Sequence, residues 1–201
     1  MTELPVARTI REQVADRIRA DVLAGRLAEG TNLREQALAQ QYHVSRAPIR
    51  DALLQLTQEG LLIAKPNCGV RVAAVHEETQ ELLVGLRREI EVFALRKWFP
   101  TKDDQTVERF QATMDRMRAA CESEDLGTFV EQDMALHRLN VELSGNPDLV
   151  AIWLPIVSRM MLHYSRHSCM MESHLEHVAI VEAIRMGNEE AAVAALEANI
   201  Q

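Results

Sequence analysis

Asp133 and His137 stand four residues apart in a stretch of helical periodicity, which brings both side chains to one side of a helix. A carboxylate and an imidazole so placed can bind a divalent metal. The same spacing also serves an ordinary surface pair, and alone it does not choose between the two. His177 lies in a later helical run, residues 176–184, either as a third ligand or as an interior histidine. His163 and His167 form another four-spaced pair near Arg159 and Arg166; they can line a cavity, contact an anionic effector, or lie on the surface.

A different chemistry gathers earlier in the chain. Arg34 begins a short helical segment, and Ser45, Arg46 and Arg50 fall on the exposed side of the next, near its N-terminus. Free backbone N–H groups and the helix dipole favour a phosphate there. Arg46 can reach guanine O6 and N7 with paired hydrogen bonds. Taken singly, each arginine is also what a solvated helix face looks like.

The elements that position these residues follow from the pattern. Thr9 with Glu12 has the form of a capping box, and Val14, Ile18 and Val22 then mark one helix face. Gly25 is a stop, and Gly30, Thr31 and Asn32 read as a turn. A second helix is expected over about 34–41, with Leu33, Ala37 and Leu38 inward. Tyr42 and His43 connect to a third, capped by Ser45, with Pro48 tolerable in its first turn. Ile49, Leu53 and Leu56 form its buried face, and Gly60 ends it. Residues 61–64 and 70–72 then read as two strands around turn residues 65–69. Three helices and a hairpin make a winged helix-turn-helix over about 1–75, and that ordered set favours DNA contact over a solvated face.

From about residue 77 the pattern is helical throughout. Six helices are expected, near 78–98, 103–122, 125–143, 147–169, 171–186 and 189–200, with Pro155 kinking or interrupting the fourth. The fold class is therefore mostly α, with an all-α bundle over 77–201.

Composition supports this division. The 201 residues carry a formal charge of −8, which read whole argues against a nucleic-acid binder. The charge is uneven, however. Residues 1–76 hold 10 Lys+Arg against 8 Asp+Glu, or +2, and the remainder 12 against 22, or −10. Three scattered cysteines with no CxxC pair argue against a disulfide framework or a thiolate zinc site. The chain shows neither an uncharged apolar run near 18 residues nor a signal-like start, so a reducing cytoplasm and no membrane are expected. No glycine-rich phosphate loop or hydrolase triad signature is visible, and no enzyme is expected.

The ordered residues Leu33, Arg34 and Glu35, then Leu38 and Ala39, then Val44 to Leu53, then Glu59, Gly60 and Leu61 resemble the DNA-binding domain of GntR-family transcription regulators. The resemblance implies that Arg34, Ser45, Arg46, Ala47, Pro48 and Arg50 face DNA. Gly69 at the wing tip would approach the minor groove. Ala47 stands where the family often has a polar residue, so one phosphate or base contact is missing.

Residues 86–91, Asp133 to His137, Ser144 to Asn146, and His177 before Ala183 and Ile184 resemble the FadR C-terminal (FCD) type of ligand-binding domain. Six helices rather than seven indicate its VanR-like branch. The resemblance implies a divalent metal, zinc, nickel or manganese, held by Asp133, His137 and His177 and helping to hold a small carboxylate effector. The fourth family ligand falls at Asn199, a neutral oxygen donor that weakens such a site, with His174 an alternative. Arg87 matches an arginine that can face the effector; the other reading is a solvent-facing Arg87 paired with Glu91. His163 and His167 are further effector candidates.

The expectation is thus a repressor, a homodimer reading a pseudo-palindromic double-stranded operator and controlled by a small organic acid. Two alternatives stay open: a metal-free FCD-type sensor of a bulkier ligand such as an acyl-CoA, and a metal-dependent enzyme fused to a DNA-binding domain.

Overall fold

A computed structural model describes residues 9–23, 25–65, 69–74, 77–164 and 169–200, with the backbone alone given for Leu23, Glu77, Met161, His163 and Tyr164. The chain divides into two compact units, Met1–Ala74 and Val75–Gln201.

In the first unit α1 spans Ile10–Leu23, α2 Glu35–Gln41 and α3 Arg46–Gln58. The capping box is formed: the Glu12 backbone N–H donates to Thr9 Oγ1 at 3.3 Å, and the Thr9 N–H to the Glu12 carboxylate at 2.8 Å. Val14, Ile18, Leu38, Ile49, Leu53 and Leu56 are buried together as a helical core. The inward residue of α2 beside Leu38 is Ala39, whereas Ala37 is exposed. Arg34 stands just before α2 in extended conformation rather than inside it.

Alpha-2 ends with His43 in the left-handed region, φ 54°. The Val44 N–H reaches the Ala39 carbonyl and the His43 N–H the Gln40 carbonyl, a tight reversal that sets α3 off from α2. The same reversal closes α3 at Gly60, φ 76°, with the Leu61 N–H bonded to the Leu56 carbonyl. Here glycine meets the left-handed requirement without the steric cost that His43 bears.

Strands β1 (Asn32–Leu33), β2 (Leu62–Lys65) and β3 (Gly69–Val72) form an antiparallel sheet in the order β1-β3-β2. The two strands read from the alternation are present, in register Leu62 to Val72 and Lys65 to Gly69. Beta-1 is a strand where a turn was expected at Asn32. Two residues are too short to show a period, but Leu33 is buried and pairs with Val70.

The second unit holds α4 (Glu77–Trp98), α5 (Asp104–Glu122), α6 (Leu126–Leu143), α7 (Pro147–Tyr164), α8 (Met170–Arg185) and α9 (Glu189–Asn199), with a 3-10 turn at Phe99–Thr101. Asp103, Asp125 and Asn188 cap α5, α6 and α9, each accepting a backbone N–H in the first turn. Alpha-4 packs against α6, α7 and α9, and α5 against α6 and α8. Leu95, Trp98, Phe110, Met117, Leu136 and Ile180 form the shared apolar core. Alpha-7 runs through Pro155 without interruption; its expected boundary near 169 falls beside residues 165–168, which lie outside the described residues. Among the described residues no helix is long and apolar enough to cross a membrane.

Candidate metal centre and nucleic-acid interface

The buried stripe of α4 explains the centre of the second unit. Leu83, Ala94, Leu95 and Trp98 face inward, and the same helical register places Arg87 and Glu91 between them. Glu91 is fully buried and Arg87 nearly so. The Arg87 Nε–H donates to Glu91 Oε1 at 2.8 Å, and the indole N–H of Trp153, from α7, reaches the same oxygen at 2.8 Å. Across the other oxygen, Oε2, lies Nδ1 of His137 at 2.5 Å. The expected pairing of Arg87 with Glu91 is present, but the solvent-facing version of it is overturned because the pair is interior.

Asp133 and His137 on α6 and His177 on α8 come together, all three buried. His177 Nε2 is 3.2 Å from Asp133 Oδ1, His137 Nε2 is 3.4 Å from the same oxygen, and the two Nε2 atoms are 3.1 Å apart. Nδ1–H of His177 donates to the Ser173 carbonyl at 2.6 Å, as Nδ1–H of His137 donates to Glu91. These bonds put a proton on each Nδ1 and turn both Nε2 atoms toward Asp133.

Electrostatics sharpen the picture. Burial works against the ionised Glu91, but His137 and Arg87 outweigh it and hold the carboxyl at about 2. Burial likewise opposes ionised Asp133, and the His177 and His137 rings bring it to about 2. Burial pushes His137 down and keeps it neutral. Burial also acts downward on His177, yet the adjoining Asp133 carboxylate carries it up. Two ionised carboxylates thus meet the Arg87 guanidinium and the His177 ring, and a metal ion at the Nε2 atoms would take the place of the His177 proton.

The donor set fits a divalent metal. Two imidazole nitrogens and one carboxylate oxygen are the usual ligands of zinc and its neighbours. Corners of a tetrahedron with bonds of about 2.0–2.1 Å lie about 3.3–3.4 Å apart, close to the observed spacings. Asn199 is buried on α9, but its amide nitrogen donates to Glu176 at 3.1 Å rather than to any of the three. His174 is buried with Nδ1 unpartnered among the described residues, and stands outside the triad. His167 lies outside the described residues, as does the side chain of His163.

In the first unit Arg34, Ser45, Arg46, Ala47 and Arg50 are exposed and Pro48 half-buried, around the N-terminus of α3. Ser45 occupies the expected cap position in extended conformation, and its side chain makes no cap hydrogen bond. Arg46 and Arg50 both turn to Glu35 at the start of α2, at 2.9 Å and 3.2 Å. Hydrogen bonds from Arg50 and Arg46 hold the Glu35 carboxyl below its ordinary range. Gly69 has φ 77°, and a Cβ there would meet the Asn32 side chain at 3.3 Å. Backbone conformation alone therefore requires glycine at that position.

Glu91, Trp153 and Glu35 were missed as site residues. The stripe of α4 carried the signal for Glu91, whereas Trp153 and Glu35 depend on contacts between helices that no spacing records.

Comparison with known proteins follows the same division. Residues 10–72 match the profile of bacterial regulatory proteins of the gntR family, and residues 82–201 match the FCD domain. The chain is 28% identical over 191 residues to the probable D-xylose utilization operon transcriptional repressor of Paenarthrobacter nicotinovorans, covering 94% of this chain and 84% of that one. The HTH-type transcriptional repressor RspR of Escherichia coli and the gluconate operon transcriptional repressor of Bacillus licheniformis are matched over 63% and 58% of their own length. Among solved structures, McbR/YncC of E. coli superposes with a TM-score of 0.83 at 19% identity, over 97% of this chain and 95% of that one. A metal-free FCD domain superposes with a TM-score of 0.56 at 24% identity, over 64% of this chain and 90% of that one. At these identities the structural likeness is one of fold.

Proposed function

Because this chain belongs to the gntR family of bacterial regulatory proteins, in the branch that carries an FCD domain, we propose that it is a cytoplasmic repressor whose hold on operator DNA is set by a small carboxylate bound in its helical unit. It is a DNA-binding transcription regulator and not an enzyme, as its curated relatives are repressors.

In this reading residues 1–75 bind DNA. The α3 N-terminus enters the major groove, with Arg46 on base edges and Arg34, Ser45 and Arg50 on the backbone. Ala47 and Pro48 complete the approaching surface, and Gly69 lets the wing come close to the minor groove. Residues 77–201 bind the effector and form a homodimer, so that two α3 helices meet the halves of a pseudo-palindrome.

The observation that carries the effector reading is the convergence of Asp133 Oδ1 with the Nε2 atoms of His137 and His177 in the buried interior of the helical unit. Asp133, His137 and His177 would hold zinc, nickel or manganese, and the bound ion would offer an open position to a carboxylate oxygen. Arg87 supplies positive charge close by, and His163 and His167 stand as further candidates on the effector. Effector binding shifts operator affinity by its differential affinity for the two arrangements of the dimer.

Elemental analysis and mass spectrometry of chelator-free protein test this directly. Stoichiometric metal and a small acid are expected; a metal-free protein carrying an acyl thioester overturns it. Fluorescence anisotropy on a selected duplex should then show the acid changing operator affinity.

A further inference from the structure

Glu91 has no place among metal ligands or effector contacts, yet it is the most enclosed carboxylate of the second unit. Three donors meet it: Oε1 takes the Arg87 guanidinium and the Trp153 indole, and Oε2 takes His137 Nδ1–H. Its backbone is held as well, since Asn140 Nδ2 donates to the Glu91 carbonyl at 3.0 Å while its Oδ1 accepts from Trp98. Residues from α4, α6 and α7 thus fix one carboxylate against one imidazole.

We infer that Glu91 is a positioning residue for the metal centre: it dictates which nitrogen of His137 carries the proton, and so keeps Nε2 free as a ligand. The inference rests on the metal reading given above. A carboxylate can only accept, so the ring nitrogen facing it must donate. With Nδ1 protonated, the lone pair of Nε2 points at Asp133 and His177. The negative charge of Glu91 also makes that imidazole a stronger donor to a cation. Arg87 and Trp153 hold the carboxylate from its far side, so it cannot turn away from His137.

A glutamine in this position would behave differently although it has the same shape. Its one oxygen would go to the two donors, Arg87 and Trp153, which leaves its NH2 facing His137 Nδ1. That contact needs a bare Nδ1 and moves the ring proton to Nε2. The ligand position is then blocked by its own proton.

The experiment titrates metal-stripped full-length protein with zinc chloride in competition with a chelating dye, and reads the His137 tautomer by 15N NMR. The wild type should bind one zinc and, before zinc, show Nδ1–H. Glu91→Gln should lose about 10–100-fold in zinc affinity and show the proton on Nε2. No zinc uptake by the wild type overturns the metal reading and this inference together. Uptake that Glu91→Gln matches, or a wild-type His137 protonated on Nε2, overturns the inference alone. The wild-type tautomer decides the matter even if Glu91→Gln fails to fold.

Discussion

Glu35 and Glu91 do the same thing in two parts of the molecule with opposite consequences. Each carboxylate holds more than one cationic or N–H donor across helices: Glu35 joins α2 to Arg46 and Arg50 of α3, and Glu91 joins α4 to α6 and α7. The side chains of Arg46 and Arg50 are 62% and 65% exposed, while Arg87 is 7% and Glu91 0%. Water and salt compete for the first cluster, so its bonds can be exchanged for a phosphate. Nothing competes for the second, so its bonds fix geometry instead. Exposure, rather than residue type, separates a surface prepared to meet a polyanion from an interior prepared to hold a cation.

The largest consequence is in stability. Glu91→Ala takes the carboxylate bonded to buried Arg87 and should cost about 3–5 kcal/mol in urea denaturation of metal-stripped protein. Glu35→Ala should change it by no more than about 1 kcal/mol. Equal losses from the two would erase the distinction drawn here. Next in size is metal retention. Asp133→Ala or His137→Ala removes a ligand itself and should lower zinc affinity by more than the roughly 100-fold ceiling for an outer residue. Dialysis followed by elemental analysis measures it, and retention of one ion per chain by either variant would remove the triad from the argument.

The two clusters also differ in how far the sequence reveals them. Helix boundaries in the second unit follow from caps and stops such as Asp103, Asp125 and Gly187, all local signals. The order of motifs from Leu33 to Leu61 carried the winged helix for the same reason. Asp133 and His137 were legible because one helix presents both. Their union with His177 depends on how α6 meets α8, which a resemblance supplied and spacing did not. Asn199 lies buried on the last helix, where its amide nitrogen donates to Glu176. Whether Arg87 turned inward or paired with Glu91 in solvent stayed open on the sequence; the stripe of Leu83, Leu95 and Trp98 encloses both residues. Beta-1 was lost to its two-residue length.

Smaller effects are expected at the exposed cluster. Arg46→Ala should lose about 1–3 kcal/mol on a selected operator duplex and relax discrimination at one base position. Arg50→Ala should weaken binding evenly across sequences and reduce the salt slope, log Kd against log salt, by about 0.9. Anisotropy titrations at several salt concentrations separate the two. An Arg50→Ala slope equal to that of the wild type would mean that this guanidinium meets no phosphate.

The smallest expected effect tests the surface half of the comparison most closely. Glu35 opposes DNA by placing a negative charge beside incoming phosphates, and assists it by holding Arg46 and Arg50 in one arrangement. Glu35→Gln keeps the size of the side chain and removes the charge. Binding to a scrambled duplex should then tighten by a few-fold, within the roughly 1 kcal/mol that exposed ion pairs are worth. Binding to the selected operator should tighten less, because two freed arginines must now be ordered on the DNA. The ratio of specific to non-specific affinity therefore falls. A ratio that rises instead would make Glu35 an obstacle to recognition, and its likeness to Glu91 would be one of geometry alone.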